Sequence, residues 1–406
     1  MSDTRPDVAF VVQRYGPDVT GGSEALARAV AEHLTDTHRV TVFTTCARDY
    51  VTWRNELPEG QEVREGVTIR RFPVEEERDL EAFNAFSDTL HDRPHTDEDE
   101  AEWLRRQGPF VPRLVDALGK EASRFAAVVF FTYLYYPTCR GLEVASDRAV
   151  LVPTAHDEPP LRLRLYREVF ARPRAFVFLT PAEERLVRGR FDLGTRPALV
   201  AGMGVDVPTS PDVGGFRGRH GLTDPYVLYA GRIDAGKGCA EMLAYFERKR
   251  QAHAADAPVS LVLIGRMALP ELGQAGVRYL GYLSEEEKAA AIAGAEAVVC
   301  PSPYESLSIV LLEAMALGVP GLVNARSEVL KDHCLRSNAG LFYDDADEFA
   351  EALALLVGRP VLREALGANG RLYVRDSYRW EVVLERWRTV LASITASPDQ
   401  RGLRPS

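Results

Sequence analysis

The sequence has few cysteines, no long apolar run and no excess of positive charge. Its 406 residues include five cysteines, which are scattered and form no CxxC pair. This pattern argues against a disulfide framework and a zinc site, and it fits reduced thiols in a cytoplasm. No apolar run approaches the ~20 residues that a membrane-spanning helix needs. The N-terminus, MSDTRPDVAF, lacks the basic start and apolar stretch of a signal peptide. We therefore expect a cytoplasmic location.

The net charge of −10 argues against a nucleic-acid partner. A peripheral contact with a membrane is left open, but nothing in the sequence indicates one. Much of the excess acid lies in one segment, VEEERDLEAFNAFSDTLHDRPHTDEDEAEW, at 74–103. We interpret this segment as a solvated insertion, and its role is open.

Apolar runs alternate with helical patterns in two series. The first series comprises the runs at 8–12, 40–45, 67–74, 126–131, 149–157 and 175–180, and the second those at 226–230, 260–265, 277–283, 297–302 and 319–324. Strands that alternate with helices predict a parallel sheet covered on both faces. Because the chain is too long for one ordinary core, we predict an α/β protein with two doubly wound, Rossmann-like domains facing an interdomain cleft.

The composition also suggests domain boundaries. The segment 206–221 is rich in Gly and Pro and has no apolar period, so we interpret it as a linker. It separates an N-terminal domain, 1–205, from a C-terminal domain, 222–375. The last helix, 376–394, is amphipathic and must dock on another surface.

The stretch YAGRIDAGKGCAEML, at 229–243, is nearly a phosphate-binding P-loop, GxxxxGK(S/T). Gly238 stands where a P-loop needs a hydroxyl for magnesium, and Asp234 would crowd a triphosphate. A structural glycine turn is one alternative. Arg232 and Lys237 around this turn favour instead a smaller, diphosphate-like anion. No GxGxxG dinucleotide fingerprint follows the first strand.

The stretch CPSPYESLSIVLLEAMALGVP, at 300–320, predicts a strand and then a helix from Ser306 or Leu307 to Leu317. Free N–H groups at the start of this helix would attract an anion, helped by the helix dipole. Glu313 lies among apolar residues two turns inside the helix, and an ionised carboxylate there needs a partner. A structural arginine is one candidate partner, and the diol of a sugar is the other.

The segments GRIDAGKG, GYLSEEE and PSPYESLSIVLLEAMALGVP together resemble glycosyltransferase family 4. Glu305 and Glu313 match the pair of glutamates, separated by seven residues, that marks this family. Weaker matches are GGSE at 21–24, HDE at 156–158 and GVD at 204–206. The resemblance implies the GT-B fold, and transfer of a sugar from a nucleotide-diphosphate sugar to a hydroxyl acceptor with retained configuration. It also implies that neither a cofactor nor a metal is required.

The resemblance further implies roles for individual residues. Arg232 and Lys237 would neutralise charge on the departing nucleotide, Glu305 would bind the donor sugar, and His156 would reach the transferred sugar; these four are the expected catalytic residues. Glu313 would hold the ribose hydroxyls. The expected substrate-binding residues are Gly21, Gly22, Gly231, Gly265, Arg266, Tyr282, Leu283, Ser306, Leu307, Ser308, Ile309 and Glu313. The final helix would cross back onto the N-terminal domain.

Several functional alternatives remain at this point. We favour a UDP-sugar over a GDP-sugar as donor, and a glycan, a lipid-linked sugar or a small metabolite as acceptor. A sugar-nucleotide epimerase, a hydrolase or a phosphorylase on the same fold is one alternative, and a non-catalytic binder of sugar nucleotides is another. The arginines after HDE would either bind an anionic acceptor or lipid headgroups, or form a solvated helix face: Arg162, Arg164, Arg167, Arg172 and Arg174.

Overall fold

The computed structural model describes residues 4–19, 21–252, 258–269 and 274–395. The chain divides into two compact units. The first contains the chain up to Met203 and again from Leu384 onward, and the second contains Gly204–Val383. Within the described residues, no helix is both long enough and apolar enough to cross a membrane.

The first unit is built on a sheet with the strand order β3-β4-β2-β1-β5-β6-β7-β8. Its central strands are buried on both faces, which explains their continuous apolar sequences. All neighbouring strands are parallel except β3 and β4. The strands are β1 (Asp7–Val11), β2 (Arg39–Thr45), β3 (Gly60–Arg64), β4 (Val67–Phe72), β5 (Ala127–Phe131), β6 (Ala149–Val152), β7 (Ala175–Phe178) and β8 (Ala198–Val200).

Helices cover this sheet, and short 3-10 turns join some of them to the strands. The helices are α1 (Gly22–Leu34), α2 (Leu80–Asp92), α3 (Asp97–Gln107), α4 (Pro112–Glu121), α5 (Tyr136–Ala145), α6 (Leu165–Ala171) and α7 (Pro181–Arg190). The acidic segment forms the hairpin of α2 and α3. It is not simply solvated, because Phe83, Leu90 and Trp103 are buried in the core of the unit.

The second unit is built on a fully parallel sheet with the order β11-β10-β9-β12-β13-β14. Its strands are β9 (Tyr226–Ala230), β10 (Ser260–Ile264), β11 (Val277–Tyr279), β12 (Ala297–Cys300), β13 (Gly321–Asn324) and β14 (Gly340–Tyr343). Its helices are α8 (Val213–Arg219), α9 (Cys239–Ala252), α10 (Glu285–Ala293), α11 (Ile309–Leu317), α12 (Glu328–Ser337), α13 (Ala346–Gly358) and α14 (Pro360–Ser377).

The last helix, α15 (Trp380–Thr395), contributes its later turns to the first unit. The ring of Trp387 is fully buried there, with its centroid 6.3 Å from that of Phe10 on β1 and 6.2 Å from that of Phe131 on β5. Residues 384–395 therefore complete the core of a unit whose strands all lie before residue 204.

The predicted fold class is confirmed: both units are doubly wound α/β structures. Three strands were not predicted, namely β3, β8 and β14. The segment predicted as a linker, 206–221, contains α8, because Asp212 caps this helix and Phe216 is buried. Each sheet has one point where the strand order reverses, between β1 and β5 in the first unit and between β9 and β12 in the second. In such sheets, ligands bind beyond the carboxyl ends of the strands at that point.

Candidate functional site

The loops that follow β9 and β12 meet at the reversal point of the second sheet. Gly238 ends the first loop with φ of 72°, and a Cβ atom there would lie 2.3 Å from the carbonyl oxygen of Pro301 in the second loop. Only glycine allows this approach, because 2.3 Å is far shorter than a van der Waals contact. The close packing brings the side chains of the two loops together.

Both predicted diphosphate-binding cations are paired with acidic side chains. Lys237 Nζ lies 2.7 Å from Glu305 Oε1, so the two loops are joined by an ion pair. Arg232 pairs with Asp234, whose Oδ1 also accepts the backbone N–H of Lys237 at 2.8 Å. Asp234 therefore shapes the loop, because it binds the backbone of Lys237 and the side chain of Arg232 at once.

The helix α11 begins at Ile309, later than the predicted Ser306 or Leu307. Ser308 immediately precedes it with φ of 65° and ψ of 79°, a left-handed conformation that a serine adopts at a cost of ~1–3 kcal/mol. The side chain of Ser308 does not cap the helix. The N–H groups of the first turn are thus left without this partner. They lie close in sequence to Glu305, whose carboxylate pairs with Lys237 of the cationic loop.

His333 fixes the segment just before α11. Its Nε2 lies 2.9 Å from the carbonyl oxygen of Leu307, and its Nδ1 lies 3.0 Å from the hydroxyl of Tyr373. Because a carbonyl oxygen only accepts, Nε2 carries the proton and Nδ1 accepts from Tyr373. Burial lowers the pKa of His333 to about 4, so the neutral ring is favoured.

Glu313 has a structural cation as its partner, but the cation is a lysine and not the arginine considered from the sequence. Lys288 on α10 donates to Glu313 Oε1 at 2.9 Å, and it also pairs with the exposed Glu285 at 2.6 Å. Burial raises the pKa of Glu313, and the charge of Lys288 opposes this shift. Burial lowers the pKa of Lys288, but the charges and hydrogen bonds of Glu313 and Glu285 together outweigh burial, so that pKa is raised.

The residues expected around the base lie on three adjacent turns. A Cβ atom on Gly265 would lie 2.0 Å from the carbonyl oxygen of Gly231, so these two glycines permit close backbone contact. The N–H of Gly265 donates to the carbonyl of Gly281 at 2.8 Å, which brings Tyr282 and Leu283 to the same region. Tyr282 is 74% exposed, and Arg266 is also exposed.

In the first unit, the predicted glycines lie at the start of α1. Gly21 has φ of 150°, and a Cβ atom there would lie 2.2 Å from Glu24 Oε2. A Cβ atom on Gly22 would contact nothing within 4 Å, so this glycine faces open space. The buried Glu24 accepts from Gln13 Nε2 and Arg14 Nε, both at 2.9 Å. This network of buried polar groups holds the loop after β1.

His156 lies on the loop after β6 and is fixed from two sides. Its Nε2 lies 3.2 Å from Glu158 Oε2, while Glu158 Oε1 accepts the hydroxyl of Tyr133 at 2.8 Å. On the other side, the buried Glu183 accepts the N–H groups of Ala155 at 2.7 Å and Leu179 at 2.6 Å. Burial raises the pKa of Glu183 to about 8, against the effect of these two N–H donors.

Three of the arginines after HDE form ion pairs, two of them with residues nearby in sequence and one with a residue of α3. Arg162 lies 3.4 Å from Asp157, Arg164 lies 3.2 Å from Glu100, and Arg172 lies 2.8 Å from Glu168. These three arginines lie in the turn before α6 or at the ends of this helix, and Arg164 pairs with a carboxylate that is itself buried, so the expected solvated helix face is not what the structure shows for them.

The predicted site residues divide between the two units. Gly21, Gly22 and His156 belong to the first, and all the others belong to the second. Sequence reasoning missed Lys288, Glu158 and Glu183. A signal existed for Lys288, because the chain has only five lysines among its 49 cationic residues. Glu158 was visible within HDE, but Glu183 gave no signal, since its contact with the loop of His156 comes from Ala155, which is distant in sequence.

Residues 216–373 match the family model described as glycosyl transferases group 1. A curated relative is the GDP-mannose-dependent monoacylated alpha-(1-6)-phosphatidylinositol monomannoside mannosyltransferase of Corynebacterium glutamicum, which is 28% identical over 212 residues. That alignment covers 47% of this chain and 55% of the relative. The chain thus spans about half the length of the curated relatives it matches.

Two solved structures show the same fold. Sucrose-phosphate synthase from Thermosynechococcus elongatus has a TM-score of 0.71 and 18% identity, over 96% of this chain and 100% of that chain. Anabaena HepE in complex with UDP and glucose has a TM-score of 0.69 and 14% identity, over 96% of this chain and 100% of that one. The fold is therefore GT-B. The match of residues 216–373 to the model of glycosyl transferases group 1 supports the resemblance to glycosyltransferases that the sequence motifs indicated.

Proposed function

We propose that this protein is a retaining glycosyltransferase that moves a sugar from a nucleoside-diphosphate sugar to a hydroxyl acceptor. The observation that carries the proposal is the junction of the loops after β9 and β12. There the Lys237–Glu305 pair, at 2.7 Å, lies at the reversal point of the sheet, beside the start of α11.

The charges at this junction suit the departure of a diphosphate. Negative charge grows on the diphosphate as its bond to the sugar breaks. Arg232, Lys237 and the N-terminus of α11 are held in place beforehand, so they would stabilise that charge without reorganisation. In the resting protein the two cations pair with Asp234 and Glu305, and the diphosphate would replace these acids as their partner.

We propose a UDP-sugar as the donor. The Anabaena HepE structure contains UDP, which supports this choice, whereas the Corynebacterium relative is described as GDP-mannose-dependent. The exposed Tyr282 offers an aromatic face for either base. The acceptor would be bound by the first unit, where the sequence matches the family least.

The proposed mechanism needs neither a metal nor a cofactor. The cations and the helix start would take the place of a metal in neutralising the diphosphate. We propose attack by the acceptor hydroxyl on the face from which the diphosphate leaves, with a phosphate oxygen taking the proton of the acceptor. His156, held by Glu158, would contact the transferred sugar.

The first test is a thermal-shift screen of UDP, GDP and ADP and their sugar conjugates, with magnesium or with EDTA. We expect one diphosphate and its sugar conjugates to stabilise the protein, with little effect of EDTA. A strict magnesium requirement with ATP as the preferred ligand would instead support a P-loop phosphotransferase.

Product analysis then separates the enzymatic alternatives. A glycosyltransferase makes a new glycoside only when an acceptor is supplied. An epimerase converts the sugar nucleotide without an acceptor, and a hydrolase releases free sugar. Binding without any turnover would identify a non-catalytic binder and contradict the proposal.

A further inference from the structure

Glu313 combines deep burial with an incomplete set of partners. Its side chain is only 12% exposed, and it lies on a helix turn that is otherwise apolar. Lys288 Nζ donates to Oε1 at 2.9 Å. From the part of the chain that the structure describes, Oε2 receives no hydrogen bond. One carboxylate oxygen thus has a charged donor, and the other has no hydrogen-bond donor among the described residues.

The ion pair determines which protonation state Glu313 adopts. A buried carboxylate without a counter-ion takes up a proton, because the charged form loses its hydration. A protonated carboxyl is a poorer acceptor than a carboxylate, since hydrogen bonds to ionised groups are roughly twice as strong. Lys288 therefore keeps Glu313 in the form that best accepts hydroxyl groups.

Lys288 is itself held in this position. Its side chain is three-quarters buried, and its second partner, Glu285, lies on the exposed side of α10 and is 75% exposed. The helices α10 and α11 pack against each other, so the ammonium group reaches Glu313 from the neighbouring helix. The arrangement resembles the Lys237–Glu305 pair, in which a lysine also meets a glutamate of the family motif.

We propose that Lys288 is a positioning residue that makes the donor site selective for a ribose with both hydroxyls free. It acts by holding Glu313 as an ionised acceptor, with Oε2 directed to the ligand and Oε1 bound to the lysine. This inference rests on the proposed function, in which Glu313 binds the ribose of the donor.

The experiment compares ribose and deoxyribose ligands by calorimetry. The probes are UDP, or GDP if it binds more tightly, and the corresponding 2′,3′-dideoxynucleoside diphosphate. The proteins are wild type, Lys288→Met, Glu313→Gln and the double variant. Glu285→Gln is the matched control, because it removes the exposed partner of Lys288 and leaves the Lys288–Glu313 pair.

In the wild type we expect the ribose ligand to bind ~10- to 100-fold more tightly than the dideoxy ligand, the usual value of hydrogen bonds to a charged group. Lys288→Met should weaken binding of the ribose ligand by about tenfold or more and largely abolish the discrimination. Glu285→Gln should change neither quantity. A merely structural ion pair would lower the melting temperature of Lys288→Met but leave the ratio of the two dissociation constants unchanged.

The double variant keeps the test decisive if Lys288→Met does not fold. Replacing both charged groups removes the unpaired buried carboxylate, which is the main cause of instability after the single change. If Lys288 acts through Glu313, the double variant should bind the ribose ligand as weakly as Glu313→Gln and no more weakly.

Three outcomes would overturn the inference, and they are distinguishable. If Lys288→Met discriminates between the ribose and dideoxy ligands as strongly as the wild type does, the lysine does not position Glu313 for the ribose. A further tenfold loss in the double variant, relative to Glu313→Gln, would show that Lys288 contacts the ligand itself. If the wild type binds the ribose ligand and the dideoxy ligand equally tightly, Glu313 does not bind the ribose hydroxyls, while the proposed function would stand. A wild type that binds none of UDP, GDP and ADP would contradict the proposed function itself.

Discussion

At the scale of single residues, the lysines carry more information than their number suggests. The chain has five of them, and two form ion pairs with the two glutamates of the family motif: Lys237 with Glu305, and Lys288 with Glu313. The sequence identified Lys237 because it lies in a glycine turn. It did not identify Lys288, because a lysine after three glutamates on a helix is usually solvated.

Replacing Lys237 tests the cationic loop directly. Lys237→Met should reduce the turnover number on the order of 10²- to 10³-fold, the usual effect of removing one preorganised stabiliser of developing charge. The fold should survive, since the side chain lies on a partly exposed loop. The measurements are the initial rate with the preferred nucleotide sugar and the melting temperature.

Lys120→Met is the control for this substitution, because Lys120 is an exposed lysine on α4 of the other unit. It should leave the rate unchanged. A normal rate in Lys237→Met would mean that the loop is structural and that its cation has no part in the reaction.

His156 should affect the reaction more than nucleotide binding. Its loop is fixed by Glu158 and Glu183, which suggests that the position of the ring matters. His156→Ala should lower the transfer rate strongly and leave the affinity for the free nucleoside diphosphate nearly unchanged, because we expect contact with the sugar only. Glu158→Gln should lower the rate less, since the ring remains.

Two measurements decide this prediction: the initial rate with the true donor, and a binding isotherm for the diphosphate alone. If the transfer rate and the affinity for the diphosphate fall equally, His156 contributes to nucleotide binding or to the stability of the fold. No change in either would show that it takes no part.

At the scale of elements, apolar runs predicted the central strands well and the edges poorly. The predicted strand at 226–230 matches β9 residue for residue, because a strand buried on both faces is apolar throughout. The edge strand β3 has the sequence GQEVR and is exposed throughout, so no apolar pattern marks it. The charge of the segment 74–103 predicts a solvated insertion, but its apolar Phe83 and Trp103 are buried in the hairpin of α2 and α3.

The start of α11 shows a second limit of sequence reasoning. The sequence of the stretch at 300–320 predicts a helix that starts at Ser306 or Leu307. The structure delays the helix to Ile309, because Ser308 adopts a left-handed conformation and His333 holds the carbonyl of Leu307. Because His333 lies on α12, no local sequence pattern could predict its contact with Leu307.

The contact of His333 predicts a pH dependence for the second unit. Its pKa is about 4 in the folded protein, against ~6.5 when unfolded, so the unfolded chain binds the proton more tightly. Stability is therefore complete above pH ~6.5 and falls as the pH drops from there toward 4, by at most ~1.4 kcal/mol per pH unit.

Urea unfolding between pH 4.5 and 7 measures this effect, with hydrogen exchange in β12 and β13 to follow the second unit. His333→Gln should show a shallower dependence on pH than the wild type. Tyr373→Phe is the control: it removes the hydroxyl at Nδ1 but keeps the imidazole, so the slope should remain. Equal slopes in wild type and His333→Gln would exclude this histidine as the cause.

At the scale of the whole molecule, both units have a doubly wound α/β architecture, and their sheets differ at the edges, where, among the described residues, only the first has an antiparallel strand, β3. Alternation of strands and helices in the sequence predicted both doubly wound units, and the family motif predicted most of the residues around the β9–β12 junction. The remaining site residues, such as Glu183 and Lys288, are defined by contacts between elements that no periodicity encodes. The sequence also showed that the last helix is amphipathic, but the surface it covers was an expectation from the family resemblance alone.

The final helix makes the first unit dependent on the end of the chain, and this leads to a prediction for Trp387. Its ring packs against Phe10 and Phe131, so Trp387→Ala should destabilise the first unit by ~3–5 kcal/mol through the cavity that the substitution leaves.

Trp387→Phe is the control for this substitution. It keeps an aromatic ring and removes an indole N–H that has no hydrogen-bond partner among the described residues, so it should destabilise the unit much less. Hydrogen exchange would follow the two units separately: protection should fall in β1 and β5 of the alanine variant and persist in β9 and β12. Equal loss in both units would mean that they unfold together, and unchanged protection in β1 would show that residues 384–395 are dispensable for the first core.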